Sequence, residues 1–330
     1  MSGTGIRTDL SRGDPPDRIG LVFNPTALKN SKDPEASRGF LAAFNDLGEY
    51  VLAGEREDTI SALQNWKDEG LDLLVISGGD GTIQVVIDAM ISVWQDSPLP
   101  QLLLIHGGTA GIVAKETGNV TPQLALSKLS EAKATGRTLP VETLHTLSVG
   151  KRITLSFALG LFRQLSSEYI TYGGQAAFSH LLLGARFTGS YLARGPMAKR
   201  TLEPCPYTIH IDDREYPPEH FIGLYASGLR RLEIFRPYQE IECPDDGFKV
   251  VGIQDIGPLS LMRGIRPVLK GDSEGLPEEL LLCGTRKLEV KCEEDSDIPY
   301  MVDGEFYSDR GSISVRSGPD LSVVRLDLMD

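Results

Sequence analysis

The segment LDLLVISGGDGT, residues 71–82, joins an apolar run to a glycine-rich turn. Apolar residues continue after the turn at positions 83, 86, 87 and 90, which is the spacing of one face of an α-helix. We therefore predict a buried strand, a tight turn and the start of a helix. Glycine allows a ligand to approach the backbone closely, and a helix N-terminus offers unpaired N–H groups to a phosphate. The segment thus predicts a site for phosphate or a nucleotide.

Asp80 is the only carboxylate within this turn, which comprises Gly78, Gly79, Asp80, Gly81 and Thr82. Its side chain is a candidate to hold Mg²⁺ or to contact a nucleotide, and the alternative is a simple cap of the following helix. Because three glycines surround the aspartate between a buried strand and a helix, ligand binding is favoured over capping.

Three further apolar runs alternate with helical patterns in the first part of the chain. The runs are 19–23, 50–52 and 101–105, and the helical patterns are 34–47, 58–69, 83–94 and 121–133. Such alternation predicts a parallel sheet with right-handed crossovers. Ligands bind these sheets at the carboxyl ends of the strands. Asn24 and a second glycine turn, 106–111, fall at that end, so Gly108 and Thr109 are candidates to contact the same ligand, and His106 lies on the same turn.

The pattern changes near residue 140, where short alternating apolar runs separated by Gly, Pro and Asp begin. This pattern is typical of an antiparallel sandwich or barrel. The predicted fold class is therefore α/β plus all-β, with an N-terminal nucleotide-binding domain over 18–139 and a C-terminal β-sandwich over 140–330. Residues 1–17 are polar and are expected to be a disordered lead-in. The last strand is a candidate to return to the first domain.

Composition narrows the class of partner and the compartment. The formal net charge is −13, whereas a nucleic-acid-binding protein normally carries a basic patch, so no nucleic-acid partner is expected. The four cysteines lack C-x-x-C spacing, which argues against zinc and favours a reducing cytoplasm. No apolar run reaches the ~18 residues of a transmembrane helix. These features predict a cytoplasmic protein.

Two later motifs contain carboxylates beside glycine. They are Asp245-Asp246-Gly247 and Asp303-Gly304-Glu305. Each one, taken alone, is best interpreted as an ordinary turn. The second places two carboxylates close together, and a general base requires one positioned carboxylate.

Taken in order, these motifs resemble the soluble lipid kinases of the diacylglycerol kinase catalytic type. The matching motifs are Asn24-Pro25, Gly78–Thr82, Gly107-Gly108-Thr109, Asp245-Asp246-Gly247 and Asp303-Gly304-Glu305, and the resemblance covers roughly residues 18–328. NAD kinases also carry the first glycine motif. The late Asp-Gly-Glu motif, which follows a β-rich domain, favours the lipid kinases over the NAD kinases.

The resemblance implies an active site in a cleft between the two domains. ATP would be held by Asn24, by the turn 78–82 and by Gly108 and Thr109. Glu305 would be the general base on a lipid hydroxyl, and Asp303 would position that base or a metal. Mg²⁺ would bind Asp246 and the backbone carbonyls of Cys243 and Phe248. The acceptor would be a membrane lipid reached by peripheral contact, and apolar residues between 178 and 191 are candidates to contact its chains.

The chain departs from the family pattern at four positions, one of which is Ala53, where the family frequently has Thr ahead of the second helix. His106 stands where the family usually has Pro, Gly111 where it has Asn, and Val85 where it has Glu. These losses leave open a degenerate, non-catalytic nucleotide- or lipid-binding protein, and an NAD kinase-like enzyme is a further alternative. Homodimer formation also stays open.

Overall fold

The computed structural model describes residues 11–12, 16–54, 56–108, 112–171, 190, 195–230, 232, 236–254, 275–292 and 296–329. The chain divides into two compact units, one within 1–144 and 320–330 and the other within 145–319. Most of the expected lead-in 1–17, together with Thr109, Gly111 and nearly all of 178–191, lies outside the described residues.

The first unit has strands and helices that alternate along the chain. Its elements before residue 145 are β1 (Ser11–Arg12), β2 (Ile19–Phe23), α1 (Leu28–Lys32), α2 (Pro34–Phe44), β3 (Glu49–Leu52), α3 (Arg56–Glu69), β4 (Leu73–Gly78), α4 (Asp80–Trp94), β5 (Gln101–His106), α5 (Ile112–Glu116), α6 (Pro122–Thr135) and β6 (Pro140–Leu144). Helix starts follow local capping chemistry. Asp33 accepts a hydrogen bond from the Ala36 N–H before α2, and Thr121 accepts one from Leu124 N–H before α6.

The second unit consists mainly of short strands. Its elements are β7 (Leu147–Val149), β8 (Arg152–Thr154), β9 (Ser156–Gly160), α7 (Leu161–Thr171), α8 (Pro196–Thr201), β10 (Tyr207–Ile211), β11 (Arg214–Tyr216), β12 (Phe221–Ser227), β13 (Phe248–Gln254), β14 (Leu280–Thr285), β15 (Lys287–Cys292), β16 (Asp297–Val302), β17 (Glu305–Arg310) and β18 (Ser312–Ser317). The strand β19 (Leu321–Val324) follows and belongs to the first unit.

The sheet of the first unit has the strand order β1-β6-β19-β5-β4-β2-β3. Neighbours from β19 to β3 run parallel, whereas β19–β6 and β6–β1 are antiparallel. Every residue of β2 and β4 is buried, as expected of central strands with both faces covered by helices. The carboxyl ends of β2, β4 and β5 consequently meet at one edge of this sheet.

Two six-stranded antiparallel sheets form the second unit. Their orders are β11-β10-β15-β18-β7-β8 and β14-β13-β12-β9-β16-β17. Buried side chains from both sheets, such as Ile209 and Leu288 from one and Phe157 and Tyr300 from the other, belong to a single core cluster. α7 contacts β9 and β12 of the second sheet. The predicted fold class, an α/β unit followed by an antiparallel β unit, is confirmed.

Two details differ from the sequence prediction. β6 pairs with β19 in the first sheet, whereas the sequence prediction assigns residues from 140 onward to the second domain. Its sequence, PVETL, is short and mixes polar with apolar residues, as do the strands that follow it. Ser11–Arg12 pairs with β6 instead of being disordered, because β6 would otherwise present an unpaired edge.

No helix in the described ranges has the length and hydropathy that crossing a bilayer requires.

Candidate functional site

The two glycine turns contact each other through their backbones. Gly78 at the end of β4 is aligned with His106 at the end of β5, and Gly107 N–H donates to the Gly78 carbonyl at 2.8 Å. A Cβ added to Gly108 would lie 2.5 Å from Cα of Gly79, closer than two such atoms approach. Glycine at residue 108 is therefore required for the turns to pack as they do.

Asn24 connects the end of β2 to both neighbouring segments. Its N–H donates to the Ser77 carbonyl at 2.8 Å, and its Nδ2 donates to Thr82 Oγ1 at 2.7 Å. Buried Asn30 supports this loop from α1, because its Nδ2 donates to the Asn24 carbonyl at 2.8 Å. Asn24 and Thr82 therefore shape the turn through a side-chain contact, and Asn30 is a supporting residue that no sequence pattern marked.

Asp80 joins the first turn to the segment after the second. Gly79 is the N-cap of α4 and Asp80 is the first helical residue, so Asp80 is not the cap itself. Its Oδ1 accepts a hydrogen bond from Val113 N–H of α5 at 3.3 Å. The carboxylate is partly exposed at the helix N-terminus, where it remains accessible to a ligand.

Two lysines place positive charge beside the turns. Lys29 N–H donates to the Gly107 carbonyl at 2.8 Å, and the Lys29 side chain is exposed. Burial lowers the pKa of Lys29, and the charges of Lys115 and Lys32 lower it further. Because these cations repel one another, an anion bound among them would be stabilised. Sequence reasoning missed Lys29 and Lys115, although each follows a candidate turn by only a few residues.

Asp303 holds the hairpin between β16 and β17. Its φ of 47° and that of Gly304, 89°, are both in the left-handed region, as a tight two-residue hairpin requires. The Asp303 carboxylate accepts from Ser156 N–H at 2.8 Å, from Leu155 N–H at 3.0 Å and from Thr154 Oγ1. Burial raises the pKa of Asp303, while these hydrogen bonds act in the opposite direction.

Glu305 begins β17 directly after this turn, and its side chain is exposed. Its backbone is fixed by pairing with Val302 across the hairpin. Asp303 therefore anchors the hairpin to the β8–β9 corner, and Glu305 is the carboxylate of the motif that solvent and a substrate can reach.

Asp246 was expected to bind Mg²⁺ with the carbonyls of Cys243 and Phe248. Its Oδ1 instead accepts from Arg286 Nε at 2.6 Å, and both side chains are exposed. The hydrogen bond from Arg286 lowers the pKa of Asp246. The Asp246 carbonyl accepts from Ser317 Oγ at 2.6 Å. The Asp246 carboxylate thus carries an exposed ion pair with Arg286, and the Mg²⁺ site stays a prediction.

The described part of the chain contains no group of three His, Cys, Asp or Glu side chains placed to share a metal ion. Of the expected site residues, Asn24, Gly78, Gly79, Asp80, Thr82 and Gly108 lie together at one edge of the first sheet, with Gly81 in the first turn of α4. Asp303 and Glu305 lie together in a hairpin of the second unit. The cleft between the domains stays a prediction.

Comparisons with known proteins agree with this fold and these motifs. Residues 18–144 match the diacylglycerol kinase catalytic domain. Two proteins of Staphylococcus aureus, from strains JH9 and JH1 and each described as "Putative lipid kinase", are 30% identical over 161 residues, which is 48% of this chain and 46% of theirs. The chain thus matches less than half the length of these curated relatives.

Solved structures are similar over almost the whole chain. The crystal structure of a "putative diacylglycerol kinase" from Bacillus anthracis str. Sterne has a TM-score of 0.66 at 16% identity, covering 94% of this chain and 97% of that one. Another diacylglycerol kinase structure from the same organism has a TM-score of 0.59 at 15% identity. At this identity the likeness shows the fold. Residues 18–144 are thus similar to the diacylglycerol kinase catalytic domain.

Proposed function

We propose that this chain is a lipid kinase, which transfers the γ-phosphoryl group of MgATP to a hydroxyl of a diacylglycerol- or sphingoid-like lipid. The observation that carries the proposal is the close backbone contact of the two glycine turns at the ends of β4 and β5, within the segment that matches the family. Parallel sheets bind nucleotides at this edge.

The first unit supplies the nucleotide-binding groups in this proposal. Backbone N–H groups at the start of α4 and at Gly108 face the phosphates, as helix N-termini and glycine loops do in other phosphate sites. The charges of Lys29 and Lys115 neutralise part of the phosphate charge. Phosphoryl transfer depends mainly on such positioning and charge stabilisation. Mg²⁺ arrives as part of the substrate MgATP, and no step is assigned to a metal at Asp246.

The second unit supplies the base. The lipid hydroxyl oxygen attacks the γ-phosphorus, the bond from that phosphorus to the β–γ bridging oxygen breaks, and ADP leaves. The hydroxyl proton passes to the Glu305 carboxylate. Asp303 touches no reacting atom in this scheme and acts by holding the hairpin from which Glu305 projects. Because the acceptor is a bilayer lipid, we propose peripheral contact with the membrane.

Phosphorylation of a lipid panel tests the proposal. Radiolabelled ATP would be offered with diacylglycerol, sphingosine and ceramide in mixed micelles, and the products identified by mass spectrometry. We expect Glu305→Gln to bind MgATP like the wild type while losing about 100-fold or more of turnover, in line with the loss of a general base. Glu215→Gln is the matched control, since Glu215 is an exposed carboxylate on the edge strand β11. Unchanged turnover in Glu305→Gln would overturn the assigned role.

A second candidate is a non-catalytic nucleotide-binding protein of the same fold. The observation that favours it is the pairing of Asp246 with Arg286 where a metal was expected. Tight MgATP binding without turnover on any lipid would support this candidate, and measurable turnover would exclude it. Formation of NADP⁺ from NAD⁺ and ATP would instead indicate an NAD kinase-like enzyme.

A further inference from the structure

His106 is a buried titratable side chain that the proposed reaction does not use. It is the last residue of β5, and only 8% of it is exposed. Its Nδ1 is buried and has no hydrogen-bond partner within the described residues. A buried polar atom without a partner costs free energy, so such an atom in a native protein calls for an explanation.

The surroundings of His106 are those of the phosphate-binding turns. The residue is aligned with Gly78 across the β4–β5 pair and is followed directly by Gly107 and Gly108. The charged groups that act on it are Lys29 in α1, Asp80 at the start of α4 and Lys115 in α5. The imidazole is therefore influenced by charged groups of α1, α4 and α5, at the sheet edge where the two turns meet.

The charge state of the ring follows from these neighbours. Burial lowers the pKa of His106, the lysine charges lower it further, and Asp80 acts in the opposite direction. The ring is consequently neutral at neutral pH, with one nitrogen protonated. A neutral ring with its proton on Nδ1 can donate to an anion without adding a third positive charge beside the two lysines.

We propose that His106 is a nucleotide-binding residue whose Nδ1–H donates a hydrogen bond to a phosphate oxygen of the bound nucleoside polyphosphate. This inference rests on the proposed nucleotide site. It assigns a partner to a buried ring nitrogen that has none among the described residues. It also gives a role to a position where the family usually has proline, a residue that has no side-chain donor.

Three substitutions separate this role from simple packing. The amide nitrogen of His106→Asn takes nearly the position of Nδ1 and keeps a donor. The amide of His106→Gln reaches instead toward the position of Nε2, and His106→Leu keeps apolar volume without any donor. Binding of MgATP, MgADP and adenosine to the full chain would be measured by calorimetry, with thermal unfolding as the check of folding.

We expect His106→Leu and His106→Gln to bind MgATP about 10- to 100-fold more weakly than the wild type, as for a lost hydrogen bond to a charged group. His106→Asn should stay within about threefold of the wild type, and adenosine affinity should not change in any variant. If the His106→Leu variant fails to fold, the comparison of His106→Asn with His106→Gln still decides the outcome.

Equal MgATP affinity in Asn and Gln variants would overturn the inference, as would a parallel loss of adenosine affinity or the absence of any nucleotide binding by the wild type. The kinase proposal fails separately. If nucleotide binding depends on residue 106 but no lipid is phosphorylated, the kinase proposal is wrong and the binding role of His106 stands.

Discussion

One methyl group at residue 108 tests the contact between the two turns. A Cβ there would lie 2.5 Å from Cα of Gly79. The two turns cannot make room for it without separating the ends of β4 and β5. We expect Gly108→Ala to lower the free energy of unfolding by about 1–3 kcal/mol, as overpacking does. MgATP affinity should fall by about tenfold, the equivalent of 1.4 kcal/mol. Chemical denaturation and calorimetry provide the two measurements.

Gly81→Ala is the matched control for stability. A Cβ at residue 81 meets no atom within 4 Å, and the residue lies in the first turn of α4. Since alanine is the better helix former by up to about 1 kcal/mol, stability should not fall. If the two variants lost the same stability, close packing of the turns would not be the cause.

His106 also predicts a pH dependence of stability. Its pKa in the folded chain is lowered from the ordinary 6.5 by burial and then by Lys29, so the unfolded chain binds the proton more readily. The stability it contributes is therefore complete above the ordinary pKa and is lost as the pH falls through that value toward the folded pKa. Between about pH 7.5 and 5.5, the wild type should lose more stability than His106→Asn. Urea unfolding at each pH measures this, and parallel curves would contradict it.

At the scale of residues, the sequence predicted those members of the site that stand in a local pattern. Gly78, Gly108 and Asn24 each follow an apolar strand, so their meeting at one sheet edge was foreseeable. Lys29 and Asn30 were not, because their roles depend on contacts with Gly107 and Asn24 that only the folded chain brings about. Asp246 shows the reverse case. Its motif predicted a metal, which stays a prediction, whereas its contact with Arg286, 40 residues away, is one that no local pattern indicates.

The hairpin of β16 and β17 is the element whose position depends most on one side chain. Asp303→Ala would leave the Leu155 and Ser156 N–H groups and two hydroxyls without their acceptor. We expect a loss of about 2–4 kcal/mol, because unpaired buried donors each cost about 1–3 kcal/mol and part of that is recovered by relaxation. Thermal and chemical unfolding of the full chain measure this loss.

Asp297→Ala is the control on the same hairpin. Asp297 is exposed and pairs with Arg310 at 3.2 Å, so its removal should change stability by no more than about 0.5 kcal/mol. A similar loss in both variants would mean that the Asp303 contacts do not anchor the hairpin.

At the scale of elements, alternation and helical spacing predicted most strands and helices of the first unit. The sheet to which β6 belongs was not predicted, because PVETL is as short and as mixed in polarity as a sandwich strand. Which sheet such a strand joins depends on its partners. Here its partner is β19, nearly 180 residues later, and local pattern carries no information about a partner at that distance.

The whole molecule depends on β19, which lies between β5 and β6 in the first sheet. Leu321, Val323 and Val324 are each at most 1% exposed. A chain that ends at Pro319 would leave both neighbouring strands with an unpaired edge and remove this part of the core. We expect loss of cooperative unfolding in the first unit and loss of MgATP binding, measured by hydrogen exchange and calorimetry.

A chain that ends at Asp327 is the control for that truncation. It keeps β19 and the ion pair of Arg325 with Asp327 at 2.8 Å, and it removes Leu328, which is 45% exposed. Native exchange protection in both truncated chains would show that β19 is dispensable.

The place of β19 also has a consequence for biosynthesis. The ribosome makes the glycine turns within the first third of the chain, but the sheet that presents them lacks a central strand until residue 324 has emerged from the exit tunnel. Domains generally fold as units during synthesis. In this chain the second unit can therefore fold first, whereas the sheet of the first unit is completed only when β19 is available. A chain that stops before β19 would therefore contain the whole second unit but an incomplete sheet in the first unit.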